Sequence, residues 1–287
     1  MRINLAAGAE KSAPISDVLK RIEDVTDNVN KTASLRGNHI FIGFPSRDER
    51  CYIGLVDSVA VMVAGFLGCG VEVTMDTFRN SSFPDIPRNY ILKRFYENEG
   101  TSIDNPYTHV MQIDDDMAWK PYEAPIEMMK VGKDFIGGIG PLKRAVNDQA
   151  FAASPEHGQN PHDSIIEMIN VGGAFIMLSR NCVETMVKEY DHLRHPAIDN
   201  FPMLFERWHD AKQDYGEDMM FCKRWRDIGG KVWGYTDITF EHLGHYATVG
   251  NYKQYLNQEI NNPDSKHVKP IVGLDKPFEE EKKCLVH

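Results

Sequence analysis

Three consecutive carboxylates, Asp114, Asp115 and Asp116, follow directly on the apolar run His109 to Ile113 in "HVMQIDDDMAW". Like charges this close repel, and an unpaired buried carboxylate is costly. A divalent cation relieves both problems. Mg²⁺ and Mn²⁺ take hard oxygen ligands, keep several waters and share themselves with substrate phosphates. The plain alternative is an acidic turn on the surface. An EF-hand is excluded, because its glycine and later glutamate are missing at the required offsets. A second acidic pair, Glu217 and Asp218, opens the segment "YGEDMMFCKRWRDIGG". The helix dipole favours carboxylates at such a start whatever they do, and a carboxylate within hydrogen-bond reach of a hydroxyl can act as general base.

Other residues have the right chemistry with less specific surroundings. His242, in "EHLGH", offers a neutral imidazole to a metal, with His245 as the fallback, although a loop histidine is more often simply hydrogen-bonded. Arg88, near a helix start and followed by Asn89, can contact a phosphate or carboxylate bidentately; an ordinary surface arginine is the competing role. Gly172 and Gly173 would let a ligand approach the backbone, or would mark a β-bulge.

The surrounding pattern supplies the elements that must position these groups. "HIFIGFPS" (39–46), "VEVTMDT" (71–77), "THVMQID" (108–114) and "DFIGGIG" (134–140) read as strands. Between them, 51–68, 85–98 and "APIEMMKVG" read as helices. Strands alternating with helices predict an α/β fold with a twisted, mostly parallel sheet flanked by helices. Ligands of such sheets bind beyond the carboxyl ends of the strands, where the aspartate triplet falls. Residues 141–164 read as a long polar loop, 165–180 as a strand-like block, 180–190 and the Glu-Asp segment as helices, and 231–245 as a strand entering a histidine loop. Ahead of them, "SDVLKRIEDVTDNVNK" (16–31) places Val18, Ile22, Val25 and Val29 at helical spacing behind the capping-competent Ser16.

Composition narrows the function classes. The chain has 287 residues, 42% hydrophobic and 26% charged, enough for one large domain. Its net charge of −10 argues against broad adhesion to nucleic acid or anionic membranes. Five scattered cysteines without a CxxC pair indicate neither a disulfide framework nor a thiolate zinc site, and a reducing, cytoplasmic setting is expected. No signal peptide is legible, and the apolar stretch "IGLVDSVAVMVAGFLGCG" fits a buried helix better than a membrane span.

The ordered set of segments resembles a family. A hydrophobic strand ending in Asp114-Asp115-Asp116 is similar to the D-x-D hallmark of nucleotide-sugar-dependent glycosyltransferases with the Rossmann-like GT-A fold. "FIGFPSRDER" resembles their first strand and nucleotide-contacting loop. "PRNYILKRF" resembles the Arg-Asn helix start of a subset that includes many bacteriophage enzymes. The segment from Tyr215 to His245 resembles their Glu-Asp helix, last strand and histidine loop. The resemblance implies a glycosyltransferase domain over 38–250, a helical extension over 1–37 and a tail over 251–287. It implies Asp116, Asp114 and His242 as ligands of Mn²⁺ or Mg²⁺. Pro45, Ser46, Arg47, Arg88, Asn89, Asp114, Asp115, Gly172 and Gly173 would bind the donor, a UDP-sugar being favoured. Asp218 would be the base of an inverting enzyme and Glu217 would position the acceptor.

The implied acceptor is a bacterial saccharide or a hydroxymethylated pyrimidine in phage-modified DNA. DNA would need a positive groove, for which Lys143, Arg144, Lys223, Arg224 and Arg226 are the candidates; a charge-mixed surface is the competing reading. A sugar-phosphate nucleotidylyltransferase shares the alternating pattern, but "FPSRDER" lacks the glycines expected after its first strand. A non-catalytic nucleotide- or glycan-binding module is the third alternative.

Overall fold

The computed structural model describes residues 20, 35–46, 51–79, 83–102, 104–143, 150–160, 162–209, 214–244 and 247–260. Arg47, Arg144, His245 and the segment 16–31, apart from Lys20, lie outside the described residues, as does everything after 260.

The first half of the domain alternates as its sequence predicts. Strand β1 (His39–Pro45) leads through helix α1 (Ile53–Gly68) to β2 (Glu72–Phe78). Helix α2 (Asp85–Tyr96) then leads to β3 (His109–Ile113). A continuous apolar run suits a strand covered on both faces, and Ile40, Phe41 and Ile42 are fully buried. β1 pairs in parallel with β2 and with β3, so the carboxyl ends of all three open on one edge.

Beyond β3 the sheet is mixed, which corrects the mostly parallel expectation. β4 (Met117–Lys120), α3 (Ala124–Val131), β5 (Phe135–Gly138), β6 (Ala153–Pro155), β7 (Ile165–Val171) and β8 (Phe175–Ser179) follow in order. The block read as one strand over 165–180 is thus two. The three-residue link carries the chain on in the same direction, so β8 runs antiparallel to β3 and β5 as β7 does to β13. Two glycines in β5 accommodate the passage: a Cβ on Gly137 would stand 2.8 Å from Val171, and one on Gly138 2.7 Å from Phe175.

After α4 (Arg180–Glu189) come two short ladders, β9 (Arg194–His195) with β10 (Phe201–Pro202) and β11 (Trp208–His209) with β12 (Asp214–Tyr215). Helix α5 (Glu217–Asp227) leads to β13 (Val232–Tyr235), β14 (Thr239–His242), β15 (Thr248–Asn251) and α6 (Tyr252–Ile260). The large sheet has the order β2-β1-β3-β8-β5-β13-β7-β6, and a smaller one the order β15-β14-β4. Two apolar clusters, one on each face, hold helices to the large sheet. The region expected as tail begins as packed structure, with Tyr252 buried edge-on against Phe151. Among the described residues no helix is long and apolar enough to cross a membrane.

Candidate active site

The triplet leaves the sheet at the carboxyl end of β3, and its three side chains part company. Asp114 turns toward α2. Both of its oxygens accept from Arg88 Nη2, at 2.8 and 3.1 Å. Arg88 is itself buried, 4% exposed, and its remaining donors are also engaged. Nη1 donates to the Gly173 carbonyl at 2.7 Å, and Nε reaches Glu217 Oε1 at 3.3 Å. This fork ties α2, the end of β3, the β7–β8 link and the start of α5 into one unit. Arg88 is thus engaged by two protein carboxylates and a carbonyl, and Asp114 faces its guanidinium.

One guanidinium serves a surplus of carboxylates here. Burial pushes the Asp114 carboxyl above its usual range despite Arg88, and the neighbouring Asp116 adds to the rise. Burial likewise raises Glu217, opposed by Arg88 and reinforced by Asp218. Asp218 is fixed by backbone donors: Oδ2 accepts from Gly173 N at 2.9 Å and Oδ1 from Met219 N at 2.7 Å.

The glycines serve this packing. A Cβ on Gly173 would come within 3.0 Å of the Arg88 guanidinium carbon and 3.1 Å of Asp218 Cβ. On Gly172 it would meet Ala152 at 3.3 Å. Their small size therefore lets protein groups close on one another. Asn89 is held by protein groups as well. It is wholly buried, its Nδ2 donates to the carbonyls of Asp85 and Phe205, and its Oδ1 accepts from Leu204 N and Phe205 N. No polar atom of that amide is left for a donor nucleotide.

Asp116 turns the other way. In the small sheet β4 pairs antiparallel with β14 in a register that sets His242 opposite Met117, and Leu243 N donates to the Asp116 carbonyl at 2.7 Å. This register brings His242 Nε2 to 3.4 Å from Asp116 Oδ1. His242 Nδ1 lies 2.7 Å from the Pro141 carbonyl. A carbonyl only accepts, so Nδ1 carries a proton, and in the neutral ring Nε2 then presents a lone pair to the carboxylate. Oδ1 is buried and has no hydrogen-bond partner. Lys143 Nζ holds the other oxygen at 2.5 Å. Burial raises the Asp116 carboxyl, but Lys143 and a protonated His242, whose Nε2–H then faces Oδ1, outweigh it and hold it below the usual range.

Two lone-pair groups facing each other across an unsatisfied buried oxygen suit a shared cation. Among the described residues no three His, Cys, Asp or Glu side chains form a ready ligand set. Asp116 and His242 therefore fit an ion that draws its other ligands from water and phosphate, the usual habit of Mg²⁺.

Next to Asp115 lies a cavity of about 530 Å³, within the size range of small-molecule sites. Phe44, Ser46, Thr77 and Arg79, from the ends of β1 and β2, line it with Asp115, and apolar residues of α1 form a wall. Ser46 Oγ is buried without a partner. Pro45 closes β1 in register with Phe78, which accepts from Ser46 N at 2.8 Å. Thr77 and Arg79 escaped the sequence reading, although the strand-end rule that singled out β3 applies equally to β2. Gln112 also escaped. It is a polar residue in the middle of an apolar strand, fully buried, and its Nε2 donates to the Arg88 carbonyl.

No family model matches this chain, and no curated protein does. The crystal structure of A197 from STIV is similar over 72% of this chain and 86% of that one, at 15% identity and a TM-score of 0.43. HddC from Yersinia pseudotuberculosis, complexed with GMP-PN, matches over 51% of this chain and 79% of its own at 9% identity, with a TM-score of 0.27. What this chain does must come from its own residues.

Of the candidates for a positive groove, the four that are described each pair with a carboxylate. Lys223 and Arg224 are buried, paired with Asp227 and Glu206 respectively, and Arg224 also donates to the Met203 and Leu204 carbonyls. Arg226 pairs with Glu156, and Lys143 with Asp116.

Proposed function

We propose that this protein is a metal-dependent glycosyltransferase that moves a sugar from a nucleoside-diphosphate sugar, a UDP-sugar in the first instance, to a hydroxyl of an acceptor saccharide. One observation carries the reading: the buried, unpartnered Asp116 oxygen faces His242 Nε2 on the strand edge where a nucleoside-sized cavity opens beside Asp115. Asp116 and His242 would hold Mn²⁺ or Mg²⁺, which when bound supplies positive charge to a diphosphate leaving group. The apolar wall and the Ser46 hydroxyl suit a base and ribose, with Asp115 at the cavity's polar end. Asp218, anchored by two backbone donors, keeps further lone pairs for the proton of an acceptor hydroxyl. In the inverting form, that oxygen bonds to the anomeric carbon as the bond to the diphosphate breaks, and its proton passes to Asp218. Arg88 holds Glu217 and Asp114 still while this happens.

The test is incubation with a panel of nucleoside-diphosphate sugars and Mn²⁺, read by thermal shift and by release of nucleoside diphosphate. Stabilisation that requires both ligands, together with diphosphate release, is expected, and Asp116→Ala abolishes both while leaving the fold intact. Release of pyrophosphate from a nucleoside triphosphate and a sugar phosphate would replace the proposal with nucleotidylyl transfer. Unchanged metal dependence in Asp116→Ala would remove the metal assignment.

A further inference from the structure

We propose that Lys143 couples the cation to the diphosphate: it competes with a cation for Asp116 and turns to the diphosphate when that anion binds. The inference rests on the metal seat of the proposed function and adds its regulation. Lys143 belongs to the polar stretch after β5, to which the proposed function gives no role. The start of that stretch is firmly placed. Pro141 bridges to Phe151, and Leu142 N donates to the Ala150 carbonyl at 2.7 Å. Gly140 lets the segment close on β4, since a Cβ there would stand 2.5 Å from Met117 Cε. Two contacts follow from that position. The Pro141 carbonyl accepts from His242 Nδ1 at 2.7 Å, and Lys143 Nζ reaches Asp116 Oδ2 at 2.5 Å. One three-residue stretch therefore orients one proposed ligand and neutralises the other.

The charges at this carboxylate do not balance once a cation is added. A divalent ion between Asp116 Oδ1 and His242 Nε2 would share one carboxyl group with the ammonium on Oδ2. Three positive charges would then face one negative charge, and like charges at contact distance repel. Asp114 does not relieve the excess, because both its oxygens accept from Arg88, and Asp115 lines the cavity. Lys143 is the group that can yield. Its side chain is 43% exposed, whereas that of Arg88 on Asp114 is 4% exposed. An exposed lysine–carboxylate pair holds weakly, and an ammonium on a flexible four-carbon stem reorients at little cost. A diphosphate brings the negative charge that both cations lack, and it is the group the cation would share. With its backbone placed by the pairing of 141–142, Lys143 stays within reach of an anion seated beside Asp116. A single ammonium there meets one phosphate group and makes no groove for a polymer.

The experiment uses the full chain as wild type, Lys143→Met, Lys143→Gln, Lys143→Arg and Asp116→Ala. Binding of Mn²⁺ alone is read by the electron paramagnetic resonance of the free ion, and binding of inorganic pyrophosphate at saturating Mn²⁺ by calorimetry. Pyrophosphate makes no demand on the nucleoside cavity or on turnover. Lys143→Met and Lys143→Gln should each bind Mn²⁺ alone more tightly than wild type and pyrophosphate more weakly, each by at least about fivefold, the lower end of ordinary coupling between sites. Lys143→Arg, which keeps the charge, should stay near wild type in both. A residue that merely supports the loop would weaken both ligands together. Loss of both, no change in either, or a gain for Mn²⁺ without a loss for pyrophosphate overturns the proposal. Mn²⁺ binding that disappears in Asp116→Ala but ignores Lys143 leaves the metal seat standing and overturns only the role of Lys143. Mn²⁺ binding that is absent, or equal in wild type and Asp116→Ala, removes the seat and the proposal with it.

Discussion

At the residue scale the site divides its carboxylates by environment. Asp114 and Glu217 share a buried guanidinium, Asp218 accepts from backbone N–H groups, and Asp116 faces an imidazole and a lysine. Asp218→Asn keeps the shape and one of the two backbone contacts but removes the proton acceptor. Transfer should fall by about 10²- to 10⁴-fold with donor affinity unchanged, as measured by single-turnover kinetics and donor titration. Loss of donor affinity instead would move Asp218 to the donor side. The Asp116 carboxyl sits below its usual range, so the folded state holds its proton less tightly than the unfolded chain. Its contribution to stability is therefore complete above about pH 4, the ordinary carboxylate value, and is lost as pH falls through the depressed folded value. Thermal unfolding in chelator should show wild type more stable than Asp116→Asn near neutrality, with the gap closing on acidification. A gap that widens would reverse the sign.

At the element scale, what holds α2 against the 203–206 segment is a polar clamp inside an apolar layer. Asn89 reaches across from α2 to the backbone of Leu204 and Phe205, and Arg224 reaches the carbonyls on the segment's other side. Asn89→Ala leaves the Leu204 and Phe205 N–H groups and the Asp85 and Phe205 carbonyls without that partner, at about 1–3 kcal/mol for each group so orphaned. Urea unfolding should show a lower midpoint with an unchanged slope. A loss under about 1 kcal/mol would mean that the segment re-pairs locally. The other decisive element contact is the β4–β14 register. A slip of one residue there would turn His242 to the opposite face and separate it from Asp116.

At the scale of the whole molecule, the net charge is acidic and Lys143, Lys223, Arg224 and Arg226 are each paired with a carboxylate, which weighs against their binding a phosphate backbone. Duplex DNA carrying hydroxymethylated pyrimidines should pass over the immobilised protein without salt-dependent retention. Retention that falls steeply between about 50 and 200 mM salt would bring DNA back as an acceptor.

Local pattern determined a good deal of this protein. The alternation of β1, α1, β2, α2 and β3, the delivery of the aspartate triplet to a strand end, and the acidic start of α5 follow from hydrophobic period and end signals, which are properties of neighbouring residues. The partners of each charge were decided only by tertiary structure. Arg88 meets Glu217 from 129 positions away, and His242 meets Asp116 through a strand pairing that no local signal specifies. The antiparallel insertion of β8 beside β3 is likewise a matter of sheet assembly, since a strand's own residues do not record the direction of its neighbours. Charges are settled by whichever groups the fold brings within a few ångströms, and that proximity is set by packing over the whole chain.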